Sequence, residues 1–132
     1  AVSDAVVCTV DLAASFADLV GEKLPATACL DSFNVLGALL GTPDAKGRDH
    51  LLQQDNGGGN FGLRAGQWKL VRQKANAKKK VDAKDSYRES LFDLATDPGE
   101  ATDAAAKHPE QMKKLHDLLE KIIREGKTRG GS

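Results

Sequence analysis

Aromatic side chains are scarce in this chain: of its 132 residues four are Phe, one is Tyr and one is Trp. A core must therefore come from aliphatic residues, and platforms on which successive bases could stack are missing. Only two cysteines occur, Cys8 and Cys29. That is too few for a disulfide framework, and neither belongs to a CxxC metal pair. Both sit in apolar company (VVCTV and TACLD), which reads as buried, inert thiols. No apolar run approaches the roughly 20 residues that span a bilayer, so no membrane partner is expected. No signal-peptide pattern opens the sequence. An excess of one charge is also lacking, since 19 Lys and Arg balance 19 Asp and Glu. Residues 1–66 hold 4 basic and 8 acidic side chains, and the remainder 15 and 11. That asymmetry is too mild to indicate nucleic acid as a partner.

Motifs of catalysis are absent as well: there is no GxSxG, HExxH, Walker loop or EF-hand pattern. Gly57-Gly58-Gly59 lacks the following Lys-Ser/Thr and opens no helix, so it reads as a hairpin loop. The run Lys78-Lys79-Lys80 could bind a sulfated or phosphorylated polymer, but reads as a solvated face. Among the histidines, His108 precedes a proline and reads as a capping or solvent residue. His116 falls on the polar side of a helix. Only His50, beside Asp49 and ahead of the glycine loop, is placed where a site is plausible. No complete active site is found.

What the chain does contain is a clear succession of periods. Residues 6–10 (VVCTV) form a β-branched run expected to be a strand. Asp11 is a natural N-cap for a helix over 12–20, where Leu12, Phe16, Leu19 and Val20 recur at helical spacing and Gly21 supplies the stop. A second helix is expected after Asp31-Ser32 as cap, with Phe33, Leu36, Leu39 and Leu40 as its stripe. From Arg48 the period turns extended: residues 50–54 (HLLQQ) suggest a strand. Phe61, Leu63, Trp68 and Leu70 alternate across a turn at Gly66, a hairpin pattern. Residues 74–84 are polar and read as an exposed loop, and 88–94 (RESLFDL) as a further strand. Pro109 then opens a long helix with Met112, Leu115, Leu118, Leu119, Ile122 and Ile123 on one face. Glu110–Lys114, Asp117–Lys121 and Glu120–Arg124 provide i,i+4 pairs on the other, and Gly126 ends it. The expected fold is α+β: a small antiparallel sheet of about four strands packed against a long C-terminal helix, preceded by a short strand and two short helices.

In order along the chain, V-D-L-x-x-S-x-x-D-L, L-P, D-S-F-N-V-L-x-A-L-L-G, R-D-H-L, F-G-L-R-A-G-Q-W-K-L-V and L-F-D-L-A-T-D-P-G-E resemble the late part of a sulfatase, of the arylsulfatase family and the alkaline-phosphatase-like superfold. K-H-P-E opening the last helix completes the match, which covers nearly the whole chain. Arg64, Trp68, Lys69, Asp93, Asp97 and Pro98 are its landmarks. Gly37 stands where many relatives carry proline. The resemblance implies that residues 1–47 end a catalytic domain, 48–126 form the C-terminal subdomain, and 127–132 are a flexible tail. It further implies a sulfuric ester hydrolase whose missing N-terminal catalytic domain is this chain's partner, with a sulfated small molecule or glycan reached through the parent. Calcium and formylglycine are expected only in that absent part: Cys8 is followed by Thr9-Val10-Asp11 and cannot be the C/S-x-P-x-R motif. The chain alone is expected to be inactive, while His50, Gln53, Gln54, Asn56 and Asn60 are candidates for shaping the substrate pocket. Relatives are often exported, so a periplasmic or extracellular parent is expected. Two alternatives stay open: a related phosphate or phosphonate ester hydrolase, and an independent binding module using the lysine-rich loop.

Overall fold

The alternating stretches of the second half become the sheet. In the computed structural model, which describes residues 3–75 and 87–129, β1 (His50–Gln54), β2 (Phe61–Ala65), β3 (Trp68–Lys74) and β4 (Tyr87–Asp93) form one four-stranded antiparallel sheet. Its order is β1-β2-β3-β4. The β2–β3 connection is two residues long, with Ala65 opposite Trp68 and Gly66 at φ 58, as a tight hairpin turn requires. The lysine run falls outside the described residues. So does most of the polar stretch expected to be a loop.

Contacts divide the chain into two compact units: one is Leu52–Lys121, the other runs through Leu51 and resumes at Ile122. In the unit Leu52–Lys121, Leu63, Leu70 and Leu91 stand directly opposite one another across β2, β3 and β4. All three are fully buried, as are Leu115 and Leu119 on the terminal helix, Pro109–Glu125. Residues two apart on a strand share a face, so Trp68 and Arg72 lie on the leucine side of β3. Both meet the helical end of the unit. Trp68 packs against His108, ring centroids 4.7 Å apart, and Arg72 Nη2 donates to Glu120 at 2.6 Å. Arg72 Nε also donates to Glu89 at 2.6 Å, and Glu89 contacts His116 Nδ1 at 2.9 Å. Burial alone would lower the pKa of the Arg72 guanidinium, but the two carboxylates outweigh it and hold the value raised. Trp68 thus belongs to the seam between a central strand and the approach to the helix. His108 is exposed just ahead of Pro109, as expected of a cap or solvent residue, and its carbonyl accepts the Met112 amide at 3.0 Å while its ring packs on Trp68. Among the expected i,i+4 neighbours, Asp117 pairs instead with Lys113, and Glu120 spends its charge on Arg72.

The other unit departs further from its sequence pattern. Residues 6–10 form no strand: Thr9–Asp11 is a 3-10 turn, because no described strand lies alongside to complete a ladder. Helix α1 spans Leu12–Leu19 and α2 only Leu36–Leu39, so Phe33 lies outside the helix it was expected to open. The expected caps are occupied elsewhere. Ser32 Oγ accepts from the Ala14 amide at 2.8 Å, and Ser15 Oγ from the Val35 amide at 3.0 Å. The two segments are thereby stitched by reciprocal bonds. Numbering the helices in chain order, α3 is Pro109–Glu125; beyond it Thr128 donates to Asp31 at 2.7 Å and Arg129 Nη2 to the Ala28 carbonyl at 2.8 Å. Cys8 is half-buried and Cys29 exposed, both as free thiols. Cys29 sits at φ 50 in a turn whose carbonyl takes the Ser32 amide, which holds it outside the core. Among the described residues, no helix is long and apolar enough to cross a membrane.

Candidate functional site

The face of the sheet away from the leucines is partly open. Alternation places Lys69, Val71 and Gln73 there on β3, with Gly62 opposite Val71 on β2. With Gln53, Gln54, Asp55, Asn60, Phe61 and Glu100 they line a hollow of about 360 Å³. Seven of its ten lining residues carry amide or charged side chains, and Phe61, Gly62 and Val71 add apolar surface, a mixture able to hydrogen-bond a polar ligand. Three of the five expected pocket residues, Gln53, Gln54 and Asn60, meet in it. Asn56 lies in the adjoining loop and is not among the lining residues.

That loop is held from within. Asp55 Oδ1 accepts from the Gly59 and Asn60 amides at 3.0 and 3.1 Å, and its Oδ2 from Asn60 Nδ2 at 2.7 Å. The backbone bonds from Asn60 and Gly59 keep the Asp55 carboxyl below its ordinary pKa. Asn60 Oδ1 accepts from the Lys74 amide at 2.8 Å, so one end of this side chain closes the loop on Asp55 and the other ties it to β3. Gln54 Nε2 bonds the Gly58 carbonyl at 3.1 Å. The glycine triplet is therefore a shaped rim rather than a phosphate cradle.

The landmarks of the LFDLATDPGE stretch organise the other rim. Asp93 accepts from Gln67 Nε2 and the Ala95 amide. Asp97 accepts from the Ala101 and Thr102 amides at 3.1 and 2.8 Å, closing the turn that contains Pro98. Glu100, at φ 55, ends on Lys69 Nζ at 2.5 Å. Arg64 Nε clamps the Gly66 carbonyl at 3.0 Å. Sequence reasoning missed Lys69, Gln73 and Glu100 as lining residues. Alternation along β3 from Lys69 to Gln73 was the signal that could have found two of them.

His50 belongs to the other unit. Its ring is 11% exposed, with Nδ1 2.8 Å from Asp49 and its edge against Phe33 at 5.6 Å. Nε2 is buried without a partner. Nearby in that unit is a polar core: Asp11 Oδ1 takes Arg48 Nη1 at 2.8 Å and the Phe33 amide at 3.0 Å, while Oδ2 takes the Cys8 amide at 2.9 Å. Arg48 lies over the Phe33 ring at 4.4 Å and reaches the His50 carbonyl and Thr128 Oγ1. The motif residues Asp11, Ser15, Ser32 and Arg48 are all buried. In this unit the motif residues named here bond to one another or to neighbouring backbone.

Among the described residues, no group of three or more His, Cys, Asp or Glu side chains could hold a metal ion. The calcium expected in the parent has no fitting donor set there, and none of these groups is assigned a step in hydrolysis.

No family model matches the chain. It is 34% identical over 118 residues to an N-acetylgalactosamine-6-O-sulfatase of Bacteroides thetaiotaomicron, a match that covers 86% of this chain and 22% of that protein. A solved protein of the Bacteroides thetaiotaomicron core genetic locus for metabolism of multiple glycosaminoglycans aligns at 31% identity and a TM-score of 0.69. It covers 85% of this chain and 24% of its own. The phosphonate monoester hydrolase of Agrobacterium radiobacter shares the fold, at 19% identity and a TM-score of 0.57 over 93% of this chain and 26% of that one. This chain is related to the sulfatases, is consistent with their C-terminal region, and spans about a fifth to a quarter of the relatives' length.

Proposed function

We propose that the chain is the supporting lobe of a sulfuric ester hydrolase, and that its amide-lined hollow holds part of a sulfated sugar while the rest of the parent breaks the ester. The observation that carries this reading is the 34% identity to a sulfatase that acts on 6-O-sulfated N-acetylgalactosamine, as its name states. The amide side chains of the hollow support it: Gln53 on the edge strand β1 and Gln73 on the inner strand β3 offer both donors and acceptors, the chemistry that sugar hydroxyls require. Calcium and a formylglycine nucleophile belong, on this reading, to the part of the parent outside this chain.

The test is to express the longer polypeptide that carries this segment and measure sulfate released from 6-O-sulfated N-acetylgalactosamine and glycosaminoglycan oligosaccharides. Release of sulfate supports the reading. Turnover of phosphate or phosphonate monoesters alone would transfer the chain to the related hydrolases. For the hollow, Gln53→Ala should raise KM roughly 3- to 10-fold with kcat little changed, the signature of lost uniform binding. An unchanged KM would remove Gln53 from the pocket.

A further inference from the structure

Asn56 is the unheld residue of a held loop. Between β1 and β2, Asp55 accepts from the Gly59 and Asn60 amides and from Asn60 Nδ2, and Gln54 Nε2 grips the Gly58 carbonyl. The Gly58 amide closes the turn on the Asp55 carbonyl at 3.0 Å. These bonds step over the Asn56 side chain and the Gly57 amide, and both residues are exposed. When glycine follows asparagine, its backbone nitrogen meets the least steric resistance in approaching the side-chain amide carbon, because glycine has no Cβ. The other described asparagines are shielded. Asn34 precedes β-branched Val35, whose amide is already given to Ser15 Oγ at 3.0 Å, and its own Oδ1 takes the Leu36 amide. Asn60 precedes Phe61 and is bonded at both ends of its side chain. Asn76 lies outside the described residues.

We infer that Asn56 is a site of spontaneous covalent modification, an inference independent of the hydrolase reading above. The Gly57 nitrogen bonds to Asn56 Cγ and gives up its proton, the Cγ–Nδ2 bond breaks, and ammonia leaves. Water then opens the cyclic imide at either carbonyl. One opening gives aspartate. The other gives isoaspartate, in which the chain continues through Cγ. Water is the sole co-reactant, and asparagine counts among the thermolabile residues for this reason. Either product places a new carboxylate next to Asp55, at the rim of the hollow. Isoaspartate also adds a carbon to the backbone within the turn from Asp55 to Gly58, which that turn cannot absorb with its 3.0 Å bond intact. The loop then loses its hold on Gly59 and on Asn60, a lining residue of the hollow. The rim thus carries a one-way chemical clock.

The test incubates the 132-residue chain in mildly alkaline buffer and follows its tryptic segment 49–64 by tandem mass spectrometry. Residue 56 should exchange amide for acid, in part as isoaspartate that an isoaspartyl methyltransferase labels, while residue 60 keeps its amide. Gly57→Ala should slow the exchange several-fold and leave the loop in place. A Cβ there would meet Asp55 Oδ2 at 3.6 Å, an ordinary contact, and the φ of Gly57 lies outside the left-handed region. In the aged chain the Gly58, Gly59 and Asn60 amides should exchange with solvent faster. In freshly purified Asn56→Asp, which adds the charge without the extra carbon, they should keep their protection. An intact Asn56 amide after incubation, or conversion of Asn60 at the same rate, would overturn the assignment. Isoaspartate at 56 with unchanged exchange from Gly58 to Asn60 would overturn its effect on the rim.

Discussion

At the scale of single residues, the Asp11 side chain has no surface in water and is paired at 2.8 Å with Arg48, itself 1% exposed at its side chain. Two backbone amides complete the set of donors. Removing one member of such a pair leaves the other buried and uncompensated. Asp11→Ala should therefore cost about 3–5 kcal/mol in denaturant unfolding, whereas Lys113→Ala, which breaks an exposed pair, should cost about 0.5 kcal/mol or less. Near-equal losses would show that the buried pair is already solvated. Gly47 is constrained for a different reason. A Cβ there would lie 2.3 Å from the Val6 carbonyl oxygen and 2.7 Å from its nitrogen, beside the bond from the Arg48 amide to that oxygen. The Val6 backbone cannot yield cheaply, so Gly47→Ala should destabilise by about 1–3 kcal/mol. The sequence shows Asp11 as a helix cap, which is its position but not its work. Phe33 and Arg48 lie 22 and 37 residues further on, and no local period reports a bond across that distance.

At the scale of elements, β4 shows how an edge is closed without another strand. Leu91, fully buried, gives its amide to Asp103 Oδ1 at 3.1 Å, and its carbonyl takes the Ala104 amide at 2.8 Å. Burial alone would raise the Asp103 carboxyl's pKa, but the amides of Ala105 and Leu91, with Ser90 and Arg88, outweigh it and hold the value below the ordinary one. A depressed folded pKa gives stability that is present above the unfolded value, about 4, and is lost as pH falls through the folded one. Exchange of the Leu91 amide should therefore accelerate below about pH 4 relative to the buried sheet amides around it. Asp103→Asn should abolish that pH dependence. A profile unchanged by the substitution would exclude Asp103 as the titrating group. The strands β2 to β4 and α3 were legible because each buries one face, through Leu63, Leu70, Leu91, Leu115 and Leu119, and burial of one face is what a two- or 3.6-residue period records. Helix α1 was legible as a helix but not in its facing: Phe16, Leu19 and Val20 of its expected stripe are exposed. A stripe records spacing and not which side a neighbour covers.

At the scale of the whole molecule, the question is which step of ester hydrolysis this chain could perform alone. The four prolines are Pro25, Pro43, Pro98 and Pro109, and the residues two before them are Lys23, Gly41, Thr96 and Lys107. None is Cys or Ser, so no position among these 132 residues satisfies C/S-x-P-x-R. The formylglycine nucleophile that the sulfatase resemblance implies therefore cannot be generated at any of these 132 positions. Purified alone, the 132-residue chain should release no sulfate above the no-protein rate from an aryl sulfate or a sulfated sugar. A weak rate enhancement abolished by Gln53→Ala or Lys69→Ala would overturn that expectation, because it would place chemistry in the hollow itself. Binding without turnover is the positive counterpart. Sulfated oligosaccharide should perturb amide resonances of β1 and β3 around Gln53 and Gln73, and leave those of Leu63, Leu70 and Leu91 unmoved, since the leucine face is closed by α3.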